Sequence, residues 1–255
     1  MRLPSLLILM SLARCAYGQL DAPRAGWTVD VRSVSRQVFG FDGNYWLGPG
    51  VVPGVVSAAF SNTGAMLKTR GSIVLLDAAA QVVYRENAPP GPARFGFSPL
   101  GAPALVYYSS NRALLRYDGG RLAPVPADWI DGEVLSLAMP DSRHVLLVAR
   151  QNGMTRSLRI QISDGAVAQS TTVPDVSGPV LAQPDGSLFF QRGAELVARS
   201  AQGIESATPA AFAAGSLFTM GNGWIQVNEK NGLRRFAWNP SRGHERIFQL
   251  PGEAR

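Results

Sequence analysis

Five times along the chain a glycine opens a short apolar run, and a turn then leads into a second apolar run. The openers Gly54, Gly91, Gly132, Gly178 and Gly215 lie 37, 41, 46 and 37 residues apart. The turns that follow are Ser61-Asn62-Thr63-Gly64, Ser98-Pro99-Leu100-Gly101, Pro140-Asp141-Ser142, Pro184-Asp185-Gly186 and Met220-Gly221-Asn222-Gly223. A recurring unit of about 40 residues has the length of a four-stranded blade, and this predicts an all-β propeller. In the first complete unit the strands read Val55 to Phe60, Ala65 to Lys68, Ile73 to Asp77 and Val82 to Arg85, rich in β-branched and aromatic residues and bounded by turn residues.

Five units fill residues 54 to 250, and the segment 19 to 53 holds three more strands, at Trp27 to Val31, Gln37 to Phe41 and Tyr45 to Leu47. Six blades of about 40 residues are therefore expected, the alternative being five blades closed by an N-terminal strand. Ring closure protects sheet edges that would otherwise recruit another chain. Asp118-Gly119-Gly120, Asp164-Gly165 and Gln202-Gly203 fall where third and fourth strands meet, a hairpin position that calls for positive backbone angles. The best helix candidate, Ala207 to Ala214, is confined to about a turn by Pro209 and Gly215. The pattern of strand, turn and strand in Phe97-Ser98-Pro99-Leu100-Gly101 and Gln183-Pro184-Asp185-Gly186 resembles the repeat of TolB-type and related bacterial propellers. Across residues 54 to 250 this resemblance implies the superfamily. Several better-defined propeller signatures are absent: no Trp-Asp dipeptide closes a blade, and neither a Tyr-Trp-Thr-Asp run nor a Ser-x-Asp-x-Gly box occurs.

The first 18 residues read as a secretory leader: Arg2, then an apolar stretch from Leu3 to Leu12, then Ala16-Tyr17-Gly18, with cleavage expected before Gln19. Arg14 precedes Cys15 where a lipoprotein box wants a small residue. Cys15 is the only cysteine, so a chain processed in this way carries no disulfide, thiol nucleophile or cysteine metal site. A single domain over residues 19 to 255 follows, secreted or periplasmic, with no further apolar segment of membrane-spanning length. A monomer is expected. Loss of Arg2 and Arg14 takes the net charge from +6 to +4, and the basic residues are scattered without a dense run. That distribution argues against nucleic acid as a partner.

The first strand of each blade lines the axis, and these strands carry no carboxylate apart from Glu133 at one entrance. A hard cation needs six to eight oxygen ligands, so neither metal nor cofactor is expected. No Gly-x-Ser-x-Gly elbow and no phosphate loop before a helix occurs, and no catalytic residue is assigned. Cations recur between second and third strands: Arg70, Arg112, the pair Arg150 and Arg156, Arg192 and Lys230, with Arg94 near the entrance. Such a ring on one face would favour an anionic small molecule, an anionic polysaccharide or an acidic protein surface. Trp46 and Trp129, beside Asn44 and Asp131, are a second candidate contact, for a sugar or a protein partner. The leading expectation is a non-catalytic binding module. A hydrolase or lyase centre built from His144, Glu133 and Asp131 on the loop face is the alternative, and it requires those three to converge. His244, beside Glu245, is read as an ordinary loop histidine.

Overall fold

A computed structural model describes residues 23–41, 44–99, 104–221, 223–232, 234–242 and 247–251. It forms a six-bladed β-propeller of antiparallel sheets. The first blade has three strands, β1 (Arg24–Val29), β2 (Ser35–Phe41) and β3 (Asn44–Val52). The second holds β4 (Val55–Ser61), β5 (Gly64–Thr69), β6 (Ser72–Asp77) and β7 (Val82–Asn87), and the third β8 (Ala93–Phe97), β9 (Ala104–Tyr108), β10 (Ala113–Tyr117) and β11 (Leu122–Val125). Blade four comprises β12 (Glu133–Ala138), β13 (His144–Gln151), β14 (Met154–Gln161) and β15 (Val167–Val173). Blade five comprises β16 (Val180–Ala182), β17 (Leu188–Arg192), β18 (Glu195–Arg199) and β19 (Glu205–Pro209). Blade six comprises β20 (Ala214–Gly221), β21 (Trp224–Glu229), β22 (Arg235–Trp238) and β23 (Ile247–Gln249).

Strands β4, β8, β12, β16 and β20 pack side by side around the axis, and β20 returns to β4. The first blade differs. Strands β1, β2 and β3 alternate in direction, and only Pro53 and Gly54 separate β3 from β4. The Val55 N–H donates to the Ser33 carbonyl at 2.8 Å, so the end of β1 meets the start of β4. β1 thus runs opposite to the five axial strands while lying against both β20 and β4. In direction it corresponds to the second strand of the other blades.

Each seam between neighbouring blades holds its own apolar cluster, because alternation along a strand sends side chains to both sheet faces. Leu105, Ile130, Val134 and Leu147 belong to the seam between blades three and four, and Trp27, Phe60, Leu67 and Val74 to that between blades one and two. The hairpin glycines Gly119, Gly165 and Gly203 have φ of 97°, 71° and 86°, as the turn chemistry requires. The helix expected over Ala207 to Ala214 does not form. β19 runs through Pro209, and β20 begins at Ala214, paired with Glu229. Gln191 favours the extended path here by accepting from the Ala214 N–H at 2.7 Å and donating to the Phe212 carbonyl at 2.9 Å. The leader expected over residues 1–18 and His244 lie outside the described residues.

Candidate functional site

The axial strands of blades two to six all start on the face that carries the turns between second and third strands. Their first halves surround a cavity of about 840 Å³. Val55 to Ala59, Ala93 to Phe95, Glu133, Leu135 to Leu137, Val180 and Leu181, and Gly215 to Phe218 contribute to its wall. The first blade contributes differently. Because β1 is reversed, its hairpin brings Asp30, Val31 and Ser33 to the rim. Two serines on the axial strands link blades: Ser57 Oγ accepts from the Ala93 N–H and Ser136 Oγ from the Ala182 N–H, both at 2.9 Å.

Six charged side chains line this cavity: Asp30, Arg94, Glu133, Arg150, Lys230 and Arg235. Most are already engaged. Asp30 Oδ1 accepts from the N–H groups of Arg32 and Val34 at 2.9 Å, and its Oδ2 pairs with Arg36 Nε at 2.6 Å. Burial pushes the Asp30 carboxyl up, but Arg36 and the two N–H groups outweigh it and hold the pKa below the ordinary value. Arg235 is buried and donates to Thr28 Oγ1, the Val29 carbonyl and the Pro251 carbonyl at 3.3, 3.2 and 2.8 Å. Glu133 meets Arg150 at 3.4 Å.

Arg94 and Lys230 remain. Neither side chain holds a hydrogen bond or a close ion pair among the described residues. Arg94 is exposed and opens toward the cavity, with the wall close enough to remove part of its hydration. Desolvation lowers its pKa, and the charge of Glu133 opposes that shift. The guanidinium stays protonated all the same.

The other expected cations lie away from this wall. Arg70 is exposed. Arg112, at φ 55°, donates from Nη2 to the Ile130 carbonyl. Arg156 is half-buried, with a shielded Nε that has no partner, and Arg192 pairs with Glu205 at 2.9 Å. The two lysines have opposite settings, since Lys68 is fully buried and donates to the Thr69 and Arg70 carbonyls. Trp46 is exposed and stacks on Phe39, 6.2 Å between centroids. Trp129 is half-buried, packs on the apolar cluster between blades three and four and abuts the Gly165 backbone.

Sequence reasoning missed Asp30 and Arg235 as wall residues. The local signal for Asp30 was its Asx-turn position in Val29-Asp30-Val31-Arg32, where a carboxylate closes onto N–H groups two and four residues on. Nothing local marks Arg235, whose partners lie in β1 and at Pro251.

His144, Glu133 and Asp131 do not converge. Glu133 pairs with Arg150 at one end of β13, whereas His144 opens the other end, about 20 Å away at the usual rise per residue. His144 Nδ1 contacts Asp141 at 2.9 Å, and Arg159 Nη2 donates to the same carboxylate at 3.0 Å. Burial raises the Asp141 pKa, but the Arg143 N–H and His144 outweigh it and hold the group at about 2. The loop-face acid/base centre required by the catalytic alternative is therefore not formed by these residues. Among the described residues no three His, Cys, Asp or Glu side chains gather as metal ligands would, and no helix is long and apolar enough to cross a membrane.

No protein-family model matches the chain, and no curated protein sequence matches it. Solved structures do. A protein in the crystal structure of a nidogen/laminin complex matches with a TM-score of 0.57 at 6% identity, over 88% of this chain and 94% of that one. Hydrazine synthase of Kuenenia stuttgartiensis matches with a TM-score of 0.51 at 12% identity, covering 89% and 80%. A catalytically inactive virginiamycin B lyase from Staphylococcus aureus, solved with quinupristin, matches with a TM-score of 0.50 at 12% identity, covering 92% and 86%. At such identities the likeness establishes a shared propeller fold, which hosts unrelated activities, so any role must be argued from this chain's own cavity.

Proposed function

We propose that this protein is a secreted or periplasmic, non-catalytic propeller that binds an anionic ligand, or an acidic surface of a protein partner, at its axial cavity. The observation that carries the reading is the unsatisfied charge there: Arg94 and Lys230 line the cavity without a hydrogen bond or close ion pair, while Asp30 is closed by its own hairpin and Glu133 is matched at closest range by Arg150. A concave wall excludes bulk water and strengthens such charges toward an incoming anion. The leader-like N-terminus supports export, and the turns Ser98-Pro99-Leu100-Gly101 and Gln183-Pro184-Asp185-Gly186 support a tie to TolB-type propellers. Export is tested by N-terminal sequencing of the protein recovered from a bacterial periplasm, where a start at Gln19 is expected and an intact Met1 would refute it. Binding is tested by titrating a panel of small anions into wild type and into Arg94→Ala/Lys230→Ala. Saturable binding that the double variant loses is the expected result, and equal binding by both proteins overturns the site.

A further inference from the structure

The two unsatisfied cations belong to blades that are not neighbours on the axis. Arg94 is the second residue of β8 in blade three and Lys230 follows β21 in blade six; of the axial strands, β4 lies between β8 and β20 on one side and β12 and β16 on the other. Between them the wall offers aliphatic footing at Val56, Leu135 and Leu181, interspersed with the hydroxyls of Ser57, Ser136 and Ser216, and Val31 and Val56 are half-exposed at the rim.

This geometry selects among anions. A phosphate or sulfate is best held where several donors converge on one tetrahedral group, whereas here the two free donors are separated by the cavity. Each can satisfy one carboxylate, Arg94 through a two-pronged guanidinium contact and Lys230 through a point charge. Sugars are generally met by Trp or Tyr faces, and neither residue type lines this cavity, whose aromatic members are Phe95 and Phe218. A cavity of about 840 Å³ accommodates a flexible chain of several carbons.

We infer, resting on the anion-binding reading above, that the cavity takes a ligand with two carboxylates joined by an aliphatic spacer, one carboxylate at Arg94 and the other at Lys230. The same chemistry is supplied by a free dicarboxylic acid or by two acidic side chains on a partner's loop.

The test is calorimetric titration of the full chain with dicarboxylates from succinate to suberate, with hexanoate and inorganic phosphate as controls, and with a short peptide carrying two glutamates. Affinity should peak at one spacer length and exceed that of hexanoate by tenfold or more. Arg94→Ala and Lys230→Ala should each bring the best dicarboxylate down to the hexanoate level, with unchanged melting temperatures because both side chains lie open to the cavity. Hexanoate, which needs only one of the two cations, should lose little affinity in either single variant and most of it in the double variant. Preference for the peptide over every free acid would keep the inference and assign the source to a polypeptide. Tighter binding of phosphate that still depends on Arg94 would overturn the dicarboxylate assignment while leaving the anion reading intact. Equal affinity for hexanoate and all diacids would overturn it as well, and no binding by any anion or by the peptide would remove both.

Discussion

The seam between blades three and four and the seam that closes the ring between blades six and one are built from different materials. The former is a broad apolar contact that includes Leu105, Leu114, Ile130, Val134, Met139, Leu147 and Ile160. The latter has a smaller buried set, Val38, Met220, Trp224, Ala237 and Leu250, supplemented by a polar latch. Thr28 Oγ1 donates to Gln226 Oε1 at 2.7 Å, and Arg235 ties β1 and Pro251 to β22. The difference follows from the reversed β1. No axial strand of the first blade continues the pattern of the other five among the described residues, so directional side-chain bonds replace part of the apolar contact. An apolar seam degrades in proportion to the volume lost, whereas a buried hydrogen-bonded latch fails abruptly, since removing one partner leaves the others unsatisfied.

The largest effect is expected in the apolar seam. Leu147 is fully buried, and Leu147→Ala should cost about 2–5 kcal/mol through lost transfer energy and a residual cavity. A lower denaturant midpoint with an unchanged slope is the expected readout, because the whole ring should still unfold together. The latch should respond differently. Arg235→Met keeps length and apolar body but removes the donors to the Val29 and Pro251 carbonyls, at a cost of about 1.5–3 kcal/mol. Amide hydrogen exchange should then quicken in β1 and β2 well before global unfolding. If β1 amides exchanged only with the rest of the chain in this variant, the closing seam would not depend on the latch.

These contrasts also mark how far the sequence can be read. Repeat spacing and turn chemistry placed the blades and most strands, with the expected Val55 to Phe60 and Ile73 to Asp77 recovered as β4 and β6 to within a residue, because both signals are local. β7 runs on to Asn87, two residues past the expected end at Arg85, since pairing of Ser72 with Asn87 extends a strand that side-chain composition does not announce. The three strands of the first blade were legible, but their direction relative to the axis was not. Direction is set by which face each link lies on, and a period of two is identical read either way. For the same reason the reversed hairpin carrying Asp30 into the cavity wall could not be foreseen. The recurring cations were visible as a pattern, yet which remain free depends on Glu205, Ile130 and Glu133, distant partners that only the folded ring brings near.

The smallest expected effect contrasts the two carboxylates that close turns on opposite faces. Asp30 is buried beside the closing seam, whereas the Asp141 side chain is 40% exposed at the far end of blade four. Both titrate below the ordinary carboxylate value in the fold, so each contributes stability above pH about 4 that is lost as pH falls through its folded pKa. For Asp141 that window runs from 3.8 down to about 2. Solvent screening of so exposed a group keeps its share below about 1 kcal/mol. Asp141→Asn should therefore make the fall in urea midpoint between pH 4 and pH 2 slightly shallower and leave β1 exchange unchanged. Asp30→Asn should lower stability already at neutral pH, because the Arg36 guanidinium loses its charged partner, and should quicken exchange in the β1–β2 hairpin. Acid limbs of equal steepness in wild type and Asp141→Asn would show that Asp141 has no part in acid stability. Hairpin exchange as slow in Asp30→Asn as in wild type would instead show that the closing seam holds without this carboxylate, leaving Arg235 and Gln226 as its polar support.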